Sequence, residues 1–180
     1  MPASPDDLFA YLDSLGIAHQ TVTHAPVFTV EESRALARRV PGVHSKNLFL
    51  RDKKGALYLV VALEEARIEL KSLHRLLGAS GRFSFGSADL MRTVLGVEPG
   101  SVTPLSAIND TARRVTVVLD QALMEHATIN CHPLTNTMTT SLAREDLVKF
   151  LQATGHPPRI LPIAGVGDPQ DAAPDTRRAD

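Results

Sequence analysis

A chain of 180 residues, 43% hydrophobic and 22% charged, has the length of one domain and can bury roughly 70% of the surface that its unfolded form exposes. Its 19 basic and 20 acidic side chains give a formal net charge of -1, which excludes a protein held to nucleic acid by a sheath of positive charge, although a local basic patch could hold a compact nucleic-acid end. Cys131 is the only cysteine, which excludes an internal disulfide; no apolar run approaches the roughly 20 residues of a membrane span, and the lack of an N-terminal apolar h-region argues against secretion, so a cytoplasmic protein is expected.

The first element is a helix. Ser4 can cap it, Pro5 suits its first position, Asp6 and Asp7 favour the positive end of its dipole, and Leu8, Leu12 and Leu15 recur on one side before Gly16 stops it. Ile17 to Thr23 alternates loosely as a short strand. Thr29 and Glu32 have capping-box spacing, which predicts a helix from Val30 to about Arg39, closed by Pro41-Gly42.

His44 to Arg51, the polar Asp52-Lys53-Lys54-Gly55 and Ala56 to Leu63 read as an antiparallel hairpin. The second strand has no polar face and is expected at the centre of the sheet, covered on both sides. Ile68 to Leu77 is an amphipathic helix ending at Gly78, Arg82 to Phe85 a short strand, and Ser87 with Asp89 opens a short helix ending near Gly96. A loop over Val97 to Asn109 then leads to buried strands at Arg114 to Asp120 and Ala127 to Cys131. Ser141 to Ala153 is a helix with Leu142, Leu147, Phe150 and Leu151 on one side, and Arg159 to Ile163 adds an edge strand.

Intermixed strands and helices without regular βαβ alternation predict a mixed α/β (α+β) single domain over residues 1–163. Its expected form is a mixed, largely antiparallel sheet or partial barrel surrounded by helices. Residues 164–180, rich in Gly, Pro, Asp and Arg, are expected to be a disordered tail.

Three polar clusters interrupt the apolar background. Lys46 and Asn47 sit inside the first hairpin strand, where period two puts Lys46 with Leu48 and Leu50 and puts Asn47 with Phe49. An ammonium on a core-facing position costs several kcal/mol unless an anion or partner compensates, so it marks either a pocket or a strand-end lysine snorkelling to solvent. The second cluster, Gly100-Ser101-Val102-Thr103-Pro104, can aim backbone N–H groups at a carbonyl oxygen or phosphate, or is an ordinary turn. The third runs from Asn130 through His132 and Asn136 to Thr140, a strand passing into a loop with an imidazole, two amides and several hydroxyls.

Other chemistries are set aside. Cys131 and His132 are adjacent on a strand and point to opposite faces, which disfavours a thiol–imidazole pair. None of the seven histidines has helical or finger spacing for a metal, and no phosphate loop, dinucleotide fingerprint or nucleophile elbow is present. His19, His74 and His156 read as surface or helix residues.

Together, Ser-Lys-Asn-Leu-Phe-Leu at 45–50, Gly-Ser-Val-Thr-Pro at 100–104 and His-Pro-Leu-Thr-Asn-Thr-Met-Thr-Thr at 132–140 resemble the YbaK/ProX family of aminoacyl-tRNA deacylases, which also occur as domains inserted in bacterial prolyl-tRNA synthetases. The resemblance covers roughly Leu8 to Leu151. Within the family it is closer to free-standing prolyl-tRNA editing proteins that remove mischarged alanine than to the branch clearing Cys-tRNA(Pro).

The resemblance implies hydrolysis of the ester of Ala-tRNA(Pro) by a positioned water, with no cofactor, metal or protein nucleophile. Lys46 matches the family's functional lysine, Gly100 and Pro104 its Gly-x-x-x-Pro loop, and His132 its pocket histidine. The Gly100 and Ser101 amides become candidate oxyanion donors, Lys46 an anchor for phosphate or ester, and His132 a group that shapes the pocket or orients water. Asn47, Pro104 and Asn136 are expected to bind substrate. Arg82 and the arginines from Arg34 to Arg39 are candidates for a basic patch meeting the tRNA acceptor end, and transient contact with prolyl-tRNA synthetase is expected. Cys131 and Met138 depart from the family pattern and alter the pocket wall. The competing readings are a noncatalytic nucleic-acid-binding or regulatory protein of the same fold, and a deacylase of another ester such as Cys-tRNA(Pro) or Ser-tRNA.

Overall fold

The computed structural model describes residues 1–27 and 29–165; the expected tail lies, from residue 166 onward, outside the described residues. The chain opens with helix α1 (Pro5–Ser14), whose capping box is complete: the Asp7 amide donates to Ser4 Oγ at 3.1 Å and the Ser4 amide to Asp7 Oδ2 at 2.9 Å. Leu8 and Leu12 on its inner face are fully buried. Strand β1 (Gln20–Thr23) and helix α2 (Val30–Ala37), capped by Thr29, come next.

The hairpin forms as its sequence pattern demands, from β2 (Val43–Arg51) and β3 (Leu57–Leu63), paired antiparallel from Ser45 with Leu63 to Arg51 with Leu57. Asp52 fixes its turn by accepting from the amides of Lys54, Ala56 and Ser80. These backbone donors, the Ser80 amide foremost, hold its carboxyl below the ordinary aspartate range. Helix α3 (Leu70–Leu77) ends at Gly78 and strand β4 (Ser84–Phe85) follows. Helix α4 (Ala88–Leu90) continues as a π-helical turn over Met91–Leu95. The remaining elements are β5 (Val115–Asp120), β6 (Thr128–Cys131), β7 (Met138–Ala143), α5 (Arg144–Ala153) and β8 (Arg159–Leu161).

Eight strands form one mixed sheet in the order β1-β7-β6-β2-β3-β5-β8, with β4 added beside β2. Four of these strand pairings are antiparallel and three, β2 with β6, β3 with β5 and β5 with β8, are parallel. The path is open: β1 and β8 stand at its two ends. β2 belongs to both halves, pairing with β6 through Val43 and His44, with β3 along most of its length, and with β4 through Leu50 and Arg51. A larger core, containing Phe49, Leu59, Val61, Ile129 and Phe150, covers one face of the hairpin; a smaller one, containing Leu50, Val60, Leu73 and Val118, covers the other. The close seam between β2 and β6 requires a glycine at its start: Gly42 has φ +81°, and a Cβ there would lie 2.5 Å from the Thr128 carbonyl oxygen.

Four expectations are corrected. The stretch expected as loop up to Asn109 contains a 3₁₀ helix over Pro104–Asn109, because Thr103 Oγ1 accepts from the Leu105 amide and Pro104 occupies the first turn. The helix expected from Ser141 begins at Arg144, and Met138–Ala143 is instead a strand between β1 and β6. Its hydroxyls are satisfied across strands: Thr140 Oγ1 lies 2.8 Å from Thr21 Oγ1, and Ser141 Oγ donates to Asn130 Oδ1. His156 is buried rather than exposed, its Nε2 2.8 Å from Asp110 Oδ2. Ala164 and Gly165 are tied to the domain, their amides donating to Asp120 Oδ1 and the Arg67 carbonyl.

Candidate functional site

The alternation of β2 separates the two residues of the first cluster. Lys46 shares its face with Leu48 and Leu50, above the smaller core, and its ammonium donates to the Ala66 carbonyl in the segment between β3 and α3. That bond supplies the partner that a half-buried ammonium needs and leaves further N–H groups for an anion. Asn47 lies on the opposite face with Phe49.

On the Asn47 side, where β2, β6 and β7 adjoin, Ser45, Asn47, Asn130, Cys131, His132 and Thr139 border a cavity of about 30 Å³, together with His44. That is close to the share of volume of one water in the liquid. Asn47 Oδ1 and His44 Nε2 are buried polar atoms without a hydrogen-bond partner among the described residues. The rest of the lining is fixed. Ser45 Oγ donates to the Asn130 carbonyl, and Asn130 Nδ2 donates to the Pro41 carbonyl at 2.7 Å. The Cys131 thiol is pushed up to about 12 by burial, against a smaller opposing effect of Ser45, so it is no thiolate nucleophile.

His132 sits at the start of the third cluster with Nδ1 3.2 Å from the Met138 carbonyl oxygen. A carbonyl only accepts, so Nδ1 carries a proton and, in the neutral ring, Nε2 is the acceptor. Burial holds its pKa below the ordinary value; the Met138 carbonyl opposes this, and His24 and His44 add to it. His44 is lowered too, first by burial, with Glu64 opposing and His24 assisting. His24 lies beside them, its Nδ1 2.7 Å from the Ala25 carbonyl and its Nε2 2.8 Å from Thr139 Oγ1.

His132 and His44 border the small polar cavity, and His24 beside them adds to the lowering of both. For both His132 and His44 the folded-state value lies below the ordinary 6.5, so in that window the unfolded chain binds more protons. Stability is expected to be complete above about pH 6.5 and to fall as pH drops towards and through the folded-state values. Urea midpoints measured between pH 5 and 8 check this, and His132→Gln should flatten the acid side.

The second and third clusters meet each other. Gly100 has φ +91°, and a Cβ placed there would lie 3.6 Å from Asn136 Nδ2, so the glycine is required by its backbone rather than by crowding. Ser101 and Asn136 line one pocket of about 410 Å³. The Ser101 amide, expected as an oxyanion donor, is engaged with the Glu98 carbonyl at 3.0 Å; the Gly100 amide has no such partner among the described residues. Pro104, expected to touch substrate, is buried in the first turn of the 3₁₀ helix and shapes the loop from behind.

Arg82 stands apart. It precedes β4, which pairs with Leu50 and Arg51, so it lies beyond the end of β2, which is itself roughly 13 Å along the strand from Asn47. Arg34, Arg38 and Arg39 are exposed on and just after α2, and Arg34 borders a groove of about 270 Å³ shared with His44 and Glu64. The sequence pattern did not single out His24, His44 or Thr139. Among the described residues no group of three or more His, Cys, Asp or Glu side chains is arranged to hold a metal ion, and no helix is long and apolar enough to cross a membrane.

Known proteins are similar to this chain in sequence and in fold. The family described as the aminoacyl-tRNA editing domain matches residues 24–150. A mouse protein named prolyl-tRNA synthetase associated domain-containing protein 1 is 42% identical over 154 residues, which cover 83% of this chain and 90% of that protein. The prolyl-tRNA editing protein ProX of Acetoanaerobium sticklandii is 37% identical over 150 residues, covering 83% of this chain and 91% of its own length. Among solved structures, one provisionally described as a trans-editing enzyme for prolyl tRNA synthetase superposes with a TM-score of 0.65 over 89% of this chain and 98% of that one, at 19% identity, a likeness of fold.

Proposed function

From the premise that the chain belongs to the aminoacyl-tRNA editing domain family, we propose that it is a trans-editing hydrolase that cleaves the aminoacyl ester of mischarged tRNA(Pro), with Ala-tRNA(Pro) as its substrate. The observation that carries the reading is the water-sized polar cavity where Asn47 and His132, from two separate sequence clusters, meet beside Thr139 and His44.

An aminoacyl ester is already activated, so a site that positions water and stabilises the developing oxyanion suffices. Water adds to the ester carbonyl carbon, the Gly100 N–H faces the oxyanion, and collapse of the tetrahedral intermediate breaks the bond to the ribose oxygen. That oxygen takes up the proton which the water gives up, leaving free alanine and a deacylated tRNA. Asn47 Oδ1 and the neutral His132 Nε2 accept from the attacking water and orient it. Lys46, on the other face of β2, anchors a phosphate of the tRNA end with the N–H groups not given to Ala66. Arg34, Arg38 and Arg39 supply the local basic patch, and Arg82 is a separate cation at the far end of β2. Selectivity follows from size: a proline site cannot strongly exclude a smaller side chain, since each missing methylene is worth only about 1–3 kcal/mol, so a second and smaller sieve clears the error. The names of the relatives support a transient contact with prolyl-tRNA synthetase.

A deacylation panel of Ala-, Pro-, Cys- and Ser-charged tRNAs tests the reading. Rapid loss of alanine from Ala-tRNA(Pro) with Pro-tRNA(Pro) spared is expected; binding to duplex DNA without hydrolysis of any member would replace the hydrolase by a binding protein. Lys46→Ala is expected to slow turnover at least about tenfold by removing the anion anchor. Unchanged turnover in that variant takes the lysine out of the mechanism.

A further inference from the structure

The face of the sheet that carries Lys46 also carries a buried carboxylate. Of the charged residues of β2, β3 and β5, Lys46 and Asp120 are the two that alternate in step with Leu50, Val60 and Val118 of the smaller core. Lys46 pairs with Ala62, and the register that sets Val61 beside Leu119 brings Asp120, one residue on, beside that same alanine. Lysine and carboxylate therefore stand two strand spacings apart, roughly 10 Å, at the ends of one row.

Asp120 is 1% exposed. Its Oδ1 accepts from the Ile163 amide at 3.0 Å and from the Ala164 amide at 3.3 Å, whereas its Oδ2 is buried without a hydrogen-bond partner among the described residues. A buried carboxylate with one oxygen unsatisfied costs stability, so the bonds its other oxygen makes have a task that outweighs the cost.

Those bonds lead to the lysine. Ile163 is fully buried in the smaller core, and two residues later the Gly165 amide donates to the Arg67 carbonyl at 3.0 Å. Arg67 follows Ala66, whose carbonyl accepts from the Lys46 ammonium. Residues 64–69 belong to no helix or strand, so the direction of the Ala66 carbonyl depends on the bonds its neighbours make. The bonded chain thus joins the two ends of the row across β3, where Ala62 has little bulk to obstruct it.

We propose that Asp120 positions Lys46 for its anion. The carboxylate holds Ile163 to Gly165 as a strap, the strap holds the peptide at residues 66–67, and the Ala66 carbonyl sets the direction of the N–H groups that the ammonium has left. The assignment rests on the hydrolase reading for its effect on rate, but not for the placement of the lysine.

In Asp120→Ala, kcat/KM for the charged tRNA is expected to fall about fivefold, in KM more than in kcat, and Asp120→Asn, which keeps an acceptor for the two amides, to recover most of the loss. In a Lys46→Ala background Asp120→Ala is expected to cost nothing further in kcat/KM while still lowering Tm, a non-additivity that mere loss of folded protein does not produce. NMR of the lysine side chains, with the Lys46 signal assigned by its disappearance in Lys46→Ala, reads the contact without turnover. That signal is expected to move in Asp120→Ala and to stay in Asp120→Asn. Gly165→Ala, which strains an exposed residue at φ +73° with open space around its Cβ, disturbs the strap without touching the core and should move the signal too. Equal losses of kcat/KM in the two backgrounds, or a Lys46 signal unmoved in whichever of Asp120→Ala and Gly165→Ala folds, overturn the proposal even if the protein deacylates tRNA. A protein inactive on the whole panel whose Lys46 signal still follows Asp120 would sink the hydrolase reading and uphold the positioning of the lysine.

Discussion

Conversion of His132 to alanine is expected to lower kcat for ester hydrolysis by about 10²-fold, the scale of loss that follows when a reacting group is displaced by about 1 Å. The argument is positional. The Met138 carbonyl fixes the Nδ1 proton, so the ring presents an acceptor at Nε2, and burial keeps the ring neutral at pH values where a solvated histidine is already charged. The acid limb of kcat should therefore lie below pH 6.5, and it should be lost in His132→Ala, whose residual rate comes from the Gly100 donor and the anion anchor. Single-turnover deacylation between pH 5 and 8 measures both. A variant with undiminished rate, or a wild-type limb above 6.5, leaves His132 with no more than a wall of the pocket.

The second large effect concerns stability. Asp110→Ala is expected to cost about 3–5 kcal/mol, the usual penalty for removing one partner of a buried pair, and to lower Tm by about 6–20 °C for a chain of this size. Asp110 and His156 are both almost completely excluded from solvent, and the same carboxylate accepts from the Arg114 and Val115 amides at 3.1 and 2.9 Å. One side chain thereby joins the end of the 3₁₀ helix, the start of β5 and the segment after α5. Asp110→Asn keeps an acceptor for one of those amides and should lose less. Calorimetry separates the two; equal melting of Asp110→Ala and wild type would mean that the pair contributes nothing.

The elements that rest on local periodicity were legible from the chain: α1 with its capping box, the hairpin, and the separation of Lys46 from Asn47 by strand alternation. So was the family, because its three motifs keep their order. β7 was not, since Thr139 and Thr140 look like a hydroxyl-rich loop and Ser141 like the start of a helix until His24, Thr21 and Asn130 arrive from distant positions to satisfy them. His156 was misplaced for the same reason: only Asp110, far away in sequence, makes its burial tolerable. Within the candidate site, the sequence supplied Asn47, His132, Gly100 and Asn136. It did not supply His44, which borders the cavity, or His24, which reaches Thr139 beside it, since neither carries a spacing signal; nor did it supply the engagement of the Ser101 amide, which depends on a turn to Glu98.

The triple pairing of β2 has a dynamic corollary. A strand held by β3 along its length, by β6 at one end and by β4 at the other has no low-energy local opening, so the ladder amides between Ser45 and Arg51 should exchange with solvent deuterium only through global unfolding. Asn47 is therefore mounted on the stiffest part of the molecule, whereas Gly100 and Asn136 sit on connections. Under the proposed editing function, discrimination between two side chains that differ in bulk then has one unyielding jaw, and accommodation of the tRNA end falls to the loops.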